Sequence, residues 1–232
     1  LSISGMGEVG PYAGQKVYDY VIQGMSGLLE AQGVQDPYAM VRTIIFDKVT
    51  ALTAAQAMTA ALFARERGAG GQHIALSMLD TAVYFNWADL MWNQSFEGDG
   101  AALAGDLADL YEVSTTRDGA IVSQPLNGDC SAYSTEELID LFAANEIPVG
   151  RVNRRDDLVS DPQIQAAETL ERLQHPRAGA MIHPRAPARF GETGHGPNRP
   201  SPDVGEHTAA VLMGLGYSMD TLIEWAQAGA IG

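Results

Sequence analysis

Gly10-Pro11-Tyr12-Ala13-Gly14 runs into Lys16-Val17-Tyr18-Asp19-Tyr20-Val21-Ile22-Gln23-Gly24. After a loop, Arg42-Thr43-Ile44-Ile45-Phe46-Asp47-Lys48 opens a long Ala-rich segment that closes at Arg65-Glu66-Arg67-Gly68-Ala69-Gly70-Gly71-Gln72. Residues 41–46 are apolar and β-branched, which predicts a buried strand or an extended entry. From Asp47 to Arg67 the spacing predicts a helix, with Val49, Leu52, Ala55, Met58, Leu62 and Phe63 along one face. The glycines that follow are its stop signal. An apolar run thus ends on a carboxylate just where a helix begins. Asp47 then has two readings. It is a helix cap, accepting from the free N–H groups of the first turn, or a reactive carboxylate held at the positive end of the helix dipole. Residue type and position alone favour the cap, because every helix needs its ends satisfied.

Outward from this stretch the pattern alternates. Residues 1–5 predict a short strand and residues 5–14 a loop. Val17, Val21, Ile22, Met25, Leu28 and Leu29 recur at helical spacing over 17–31, with Gly24 and Gly27 as sites of close backbone approach. Downstream, 72–76 predicts a strand and Ser77 the cap of a helix from Met78 to Asn93, with Asp80 in its first turn. That helix carries Tyr84, Phe85, Trp87 and Trp92, an aromatic run that suits core or dimer contact better than a ligand platform. Residues 97–105 form a polar linker. A hairpin follows, 110–115 and 120–123 about Arg117-Asp118-Gly119. A helix from Ser134 to Asn145, a return strand at 147–152, a helix start at Asp161-Pro162, an extended stretch at 175–190, a loop at 191–203 carrying His195, and closing helices complete the chain.

The 14 basic and 29 acidic side chains give a net charge of −15. A nucleic-acid binder carries the opposite sign. No run of apolar residues is long enough to span a membrane, and no secretory leader pattern is visible. The single Cys130 excludes an internal disulfide and fits a reducing compartment, so cytoplasm is the default. His73, His175, His183, His195 and His207 show no metal-ligand spacing, and no metal site is expected. The turn Gly68-Ala69-Gly70-Gly71 follows a helix instead of preceding one, unlike a phosphate-cradling loop. Ser26 and Ser77 lack a hydrolase pattern, and His207 reads as a residue at a helix start.

The order Gly-Pro-Tyr, Lys-Val-Tyr-Asp-Tyr, Gln23, Met25-Ser26-Gly27-Leu28, Asp47, the Ala-Leu-Phe-Ala-Arg-Glu-Arg helix end, Gly71-Gln72-His73-Ile74 and Ser77-Met78-Leu79-Asp80 resembles the class III CoA-transferases. Formyl-CoA transferase and carnitine CoA-transferase are of this type, and alpha-methylacyl-CoA racemase is related. The resemblance is continuous over about the first ninety residues and returns near the C-terminus.

It implies an α/β fold: a portion of a Rossmann-like large domain over 1–105, a reduced small α+β domain over 106–190, and a C-terminal loop and helices over 191–232 that return to the large domain. It implies that a substantial N-terminal segment precedes Leu1, so the chain reads as a fragment or an N-terminally truncated protein, and that several small-domain helices before Ser134 are missing. It implies Asp47 as nucleophile, Lys16 and Tyr18 lining the site for coenzyme A and the acyl group, and Gln23 in a supporting role. The substrates would be an acyl-CoA and a carboxylic acid acceptor, with no tightly bound cofactor and a homodimeric assembly. The negative chain would need local cations for anionic CoA, and Lys16, Arg42 and Lys48 all fall in the central stretch.

Two alternatives stand beside this. In the racemase branch a His precedes the Asp of the motif that here reads Tyr18-Asp19. A phenol of pKa about 10 shuttles protons poorly at neutral pH compared with an imidazole near 6.5, which favours transfer over racemisation. The other alternative is a catalytically silent fragment acting only as a partner subunit.

Overall fold

The computed structural model describes residues 1–33, 38–91, 95–96, 98, 105, 107–126, 128–194 and 198–231. The expected helix end at Asn93, Trp92, most of the linker and His195 lie outside them. Among the described residues the architecture is mixed α/β with one small parallel and two small antiparallel sheets. The chain forms two compact units, Leu1–Arg151 and Val152–Gly232. Among the described residues no helix is long and apolar enough to cross a membrane.

In the first unit, β1 (Ser2–Ser4) pairs in parallel with β2 (Ala75–Ser77). Between them lie α1 (Asp19–Met25), α2 (Leu28–Gln32) and α3 (Ile45–Ala64), and α4 (Met78–Leu90) follows β2 directly. The Ser77 hydroxyl caps α4 as expected, accepting from the Asp80 N–H at 2.9 Å. Gly5 lies close against Val17: a Cβ there would come 2.0 Å from Val17 Cγ2 and force that side chain to shift. The expected single helix over 17–31 is two helices. Gly27, at φ +82°, breaks it in the left-handed region that side chains disfavour.

Met6, Ile22, Leu28, Phe46 and Ala82 form the core of this part, with Ile22, Phe46 and Ala82 fully buried. Burying a Phe or Ile contributes about 1.5–3 kcal/mol each. The expected buried stripe on α3 is corrected by the structure: Leu52, Met58, Leu62 and Phe63 are exposed, and the buried edge is Phe46, Thr50 and Ala54. These three follow each other at four-residue spacing, which puts them on one helical face. Small Ala54 and Thr50 allow close packing there, whereas the larger side chains point away; Arg67 lies over the Phe63 ring at 5.2 Å. The aromatic run on α4 is likewise not core. Tyr84, Phe85 and Trp87 are exposed, and Thr81, Ala82 and Asn86 face inward.

The hairpin appears as β3 (Glu112–Thr115) and β4 (Ala120–Ser123), and the return strand β5 (Val149–Arg151) pairs antiparallel with β4. α5 (Thr135–Ala144) starts with a full capping box between Ser134 and Glu137. The turn residue Asp118 adds a long-range cap, its Oδ1 accepting from the Thr135 N–H at 2.7 Å and the Thr135 hydroxyl at 2.9 Å. The bond from the Thr135 N–H is the main reason the Asp118 carboxyl is held below its ordinary range; the Ser134 N–H does the same for Glu137. A carboxylate depressed in the folded state stabilises above its unfolded pKa and loses that contribution as pH falls through the folded value. Urea midpoints should therefore decline below about pH 4, and less steeply in Asp118→Asn, whose stability should already be lower at neutral pH. Parallel declines for parent and variant would refute the assignment.

In the second unit, α6 (Pro162–Ala166) begins at the expected Asp161-Pro162. The stretch 175–190 is not simply extended. β6 (Leu170–His175) and β7 (Gly179–Pro184) form an antiparallel hairpin whose turn is held by His175 Nδ1, which accepts from the Arg177 and Ala178 N–H groups at 3.1 Å. α7 (Thr208–Gly214) and α8 (Met219–Gln227) close the chain, with His207 at the α7 N-cap position as expected.

Candidate functional site

The start of α3 is not where the sequence puts it. Residues 41–46 form no strand, and the helix begins at Ile45, so Asp47 is its third residue and not its cap. The β-branched Ile44-Ile45 pair is overridden by tertiary structure. Thr43 N–H donates to the Val41 carbonyl at 2.8 Å and Ile45 N–H to the Thr43 carbonyl at 2.9 Å, a tight lead-in. The next N–H, that of Phe46, is taken from outside the helix. Asp19 Oδ1 accepts it at 2.7 Å.

Asp19 is 5% exposed and Gln23 1% exposed, one turn apart on α1. The Gln23 amide donates to Asp19 Oδ2 and to the carbonyls of Val41 and Thr43, both at 3.2 Å, while its Oε1 accepts from the Val41 N–H at 3.0 Å. A buried polar pair on α1 thus holds the whole lead-in to α3. Beside this pair, the Ser26 hydroxyl donates to the Gln23 backbone carbonyl and Asn86 Nδ2 to the Ser26 carbonyl, each at 3.2 Å, bonds that end on α1 and its C-terminal residue and not on the lead-in to α3.

The carboxylate of Asp47 is exposed and, among the described residues, makes no hydrogen bond or ion pair. The role of cap is therefore filled by Asp19, and Asp47 is left free in the first turn, where the dipole favours negative charge. Lys16 and Tyr18 lie on the exposed approach to α1; Tyr18 stacks on Tyr20 with ring centroids 6.1 Å apart. No hydrogen bond or ion pair among the described residues joins Lys16 or Tyr18 to Asp47. Of the nearby cations, Lys48 turns back to the Thr43 hydroxyl at 2.7 Å, while Arg42 is exposed. Gln23 faces inward, its amide engaged wholly by the chain.

Asp19 was missed as a site residue by the sequence reading. The signal was its i, i+4 spacing to Gln23, two polar side chains on the face that also carries Ile22. One further contact invites a hydrolase reading, Ser2 Oγ lying 2.9 Å from His73 Nε2. Glu8, however, accepts from the serine hydroxyl and does not orient the imidazole. A catalytic triad needs the reverse.

The model of CoA-transferase family III matches residues 1–129 and 104–208. The chain belongs to this family. A succinate–glutarate CoA-transferase of Agrobacterium fabrum is 27% identical over 92% of this chain and 64% of its own length. The human succinyl-CoA:glutarate CoA-transferase is 24% identical over 91% of this chain and 58% of its own. The chain therefore spans about six-tenths of the length of these relatives. A CAIB/BAIF family protein from Brucella suis superposes with a TM-score of 0.74 at 21% identity, covering 92% of this chain and 66% of that one, a likeness of fold.

Proposed function

We propose that the protein transfers CoA between an acyl-CoA thioester and a free carboxylic acid, with Asp47 as the nucleophile. The observation that carries this reading is the division of labour at α3. Asp19 caps the helix, and the Asp47 carboxylate beside it is exposed and uncommitted. An ordinary cap would have spent its oxygens on the first turn.

The chemistry follows from a carboxylate nucleophile. Asp47 attacks the thioester carbonyl, the C–S bond breaks, and CoA thiolate leaves an acyl–aspartyl anhydride. The thiolate then attacks the Asp47 carbonyl of that anhydride, releasing the donor acid and leaving an aspartyl–CoA thioester. The acceptor carboxylate attacks this thioester, expelling thiolate and forming a new anhydride. Thiolate attack on the acceptor's acyl carbon yields the new acyl-CoA and returns Asp47. Both anhydrides and the thioester hydrolyse if water enters, so the site has to be closed around them. Lys16 and Tyr18 are assigned to the CoA and acyl side, with exposed Arg42 as a further cation for the phosphates. Dicarboxylic acids are the first acceptors to test, since relatives act on succinate and glutarate.

The domain mapping stays part of this reading: 1–105 from a Rossmann-like large domain, 106–190 a reduced small domain, and 191–232 returning to the large one. The exposed Leu52, Leu62, Phe63, Tyr84 and Trp87 support a homodimer; light scattering that gives a monomer removes the dimer, and the cytoplasm stays the proposed location. The function is tested by incubating the protein with succinyl-CoA or acetyl-CoA and a panel of carboxylic acids, and following new CoA esters by mass spectrometry. The racemase alternative is tested beside it with a 2-methylacyl-CoA in deuterated water. Catalytic deuterium uptake at C2 without CoA exchange would overturn the transferase reading. Neither reaction would leave a partner subunit without chemistry of its own.

A further inference from the structure

We infer that Asp19 and Gln23 are positioning residues for the Asp47 carboxylate, acting from α1 through the backbone of residues 41–46. This rests on Asp47 as the nucleophile. Three observations carry it. The pair is buried, so its polar atoms have no access to a ligand. Its hydrogen bonds end on Val41, Thr43 and Phe46, the residues that set where α3 starts. Phe46 is both the acceptor's partner and the fully buried residue immediately before Asp47, so its side chain and its amide are fixed independently.

The chemistry of the pair is directional. Asp19 has only acceptor oxygens toward two donors, the Phe46 N–H and the Gln23 amide. In Asp19→Asn the single carbonyl oxygen serves one of them, and the new NH2 group opposes the other. Turning the Gln23 amide over would relieve that clash but would set its NH2 against the Val41 N–H and its oxygen against the carbonyls of Val41 and Thr43. The network has one consistent arrangement, and the chain upstream of Asp47 follows it. Gln23→Met keeps the volume and deletes the clamp on 41–43 while leaving the Asp19–Phe46 bond. Ser26→Ala removes a buried hydroxyl from the same region without touching the lead-in to α3.

The test compares the parent protein with Asp19→Asn, Gln23→Met and Ser26→Ala. Each is exposed to acyl-CoA and hydroxylamine, and the hydroxamate at residue 47 is quantified by peptide mass spectrometry. Acyl-CoA affinity is measured by titration and amide exchange at Phe46 by hydrogen–deuterium exchange. A nucleophile displaced by a fraction of an ångström should form its adduct about 10- to 100-fold more slowly in Asp19→Asn and Gln23→Met, at affinity within about threefold of the parent. Ser26→Ala should form it at the parent's rate. If Asp19→Asn does not fold, Gln23→Met carries the comparison. Faster Phe46 exchange with an unchanged adduct rate would show that the pair only stabilises the fold, and would overturn the inference. An absence of adduct in the parent would instead overturn the nucleophile assignment on which the inference stands.

Discussion

On the proposed mechanism, Asp47→Asn should abolish CoA transfer, with turnover falling by about three orders of magnitude or more, while the protein stays folded. The amide is nearly isosteric with the carboxylate but cannot form the anhydride, so the covalent route is lost and only background chemistry remains. The stability effect should be small. Asp47 is exposed, is not the cap, and interacts with the helix start only through the dipole, a term of about 0.3–1 kcal/mol. The check is a transfer assay and a urea titration on the same preparation, with hydroxylamine trapping as a second readout. A variant that still transfers CoA at the parent's rate ends the nucleophile assignment, and Asp47 becomes a solvated first-turn acid.

Phe46→Ala should have the largest effect on stability. Phe46 is fully buried among Ile22, Leu28 and Ala82. Truncating such a ring removes its transfer free energy and leaves a cavity that the surrounding helices fill only in part, at a cost of about 3–5 kcal/mol. Because its amide is also the atom that Asp19 holds, the loss should couple to the site. At temperatures where the variant is still folded, adduct formation at Asp47 should be slower than in the parent. Urea denaturation measures the first effect. A loss under about 1 kcal/mol would mean that the core collapses freely around the gap, contrary to the packing described.

Local chemistry was readable from the sequence wherever a single turn decides the outcome. Ser77 before Asp80, Ser134 before Glu137, Asp161 before Pro162 and the Asp118-Gly119 turn each announced their element, because donors and acceptors within three residues settle it. The start of α3 was not readable in this way. Its cap comes from Asp19, 27 positions earlier, and no local rule converts the β-branched Ile44-Ile45 pair into a helix entry. The buried face of α3 was misassigned for a related reason. Periodicity identified an apolar stripe, but the buried edge is Phe46, Thr50 and Ala54, where small Thr50 and Ala54 let a neighbour approach. The β6–β7 hairpin was hidden by its prolines, because its turn is stabilised by the imidazole of His175 and not by a standard turn pair. The family order of motifs located Asp47, yet the freedom of its carboxylate emerged only when the competing cap was seen.

The borrowed cap has a consequence for anyone who would move this chemistry elsewhere. A helix that brings its own cap is a portable part, and its first turn keeps its shape on any scaffold that accepts it. Here the segment from Val41 to Ala64, transplanted alone, would leave the Phe46 amide unclaimed and the Gln23 contacts unmade. The smallest transferable cassette must include α1, so the shape of the turn that carries Asp47 is the property of two helices and is inherited only when both travel together.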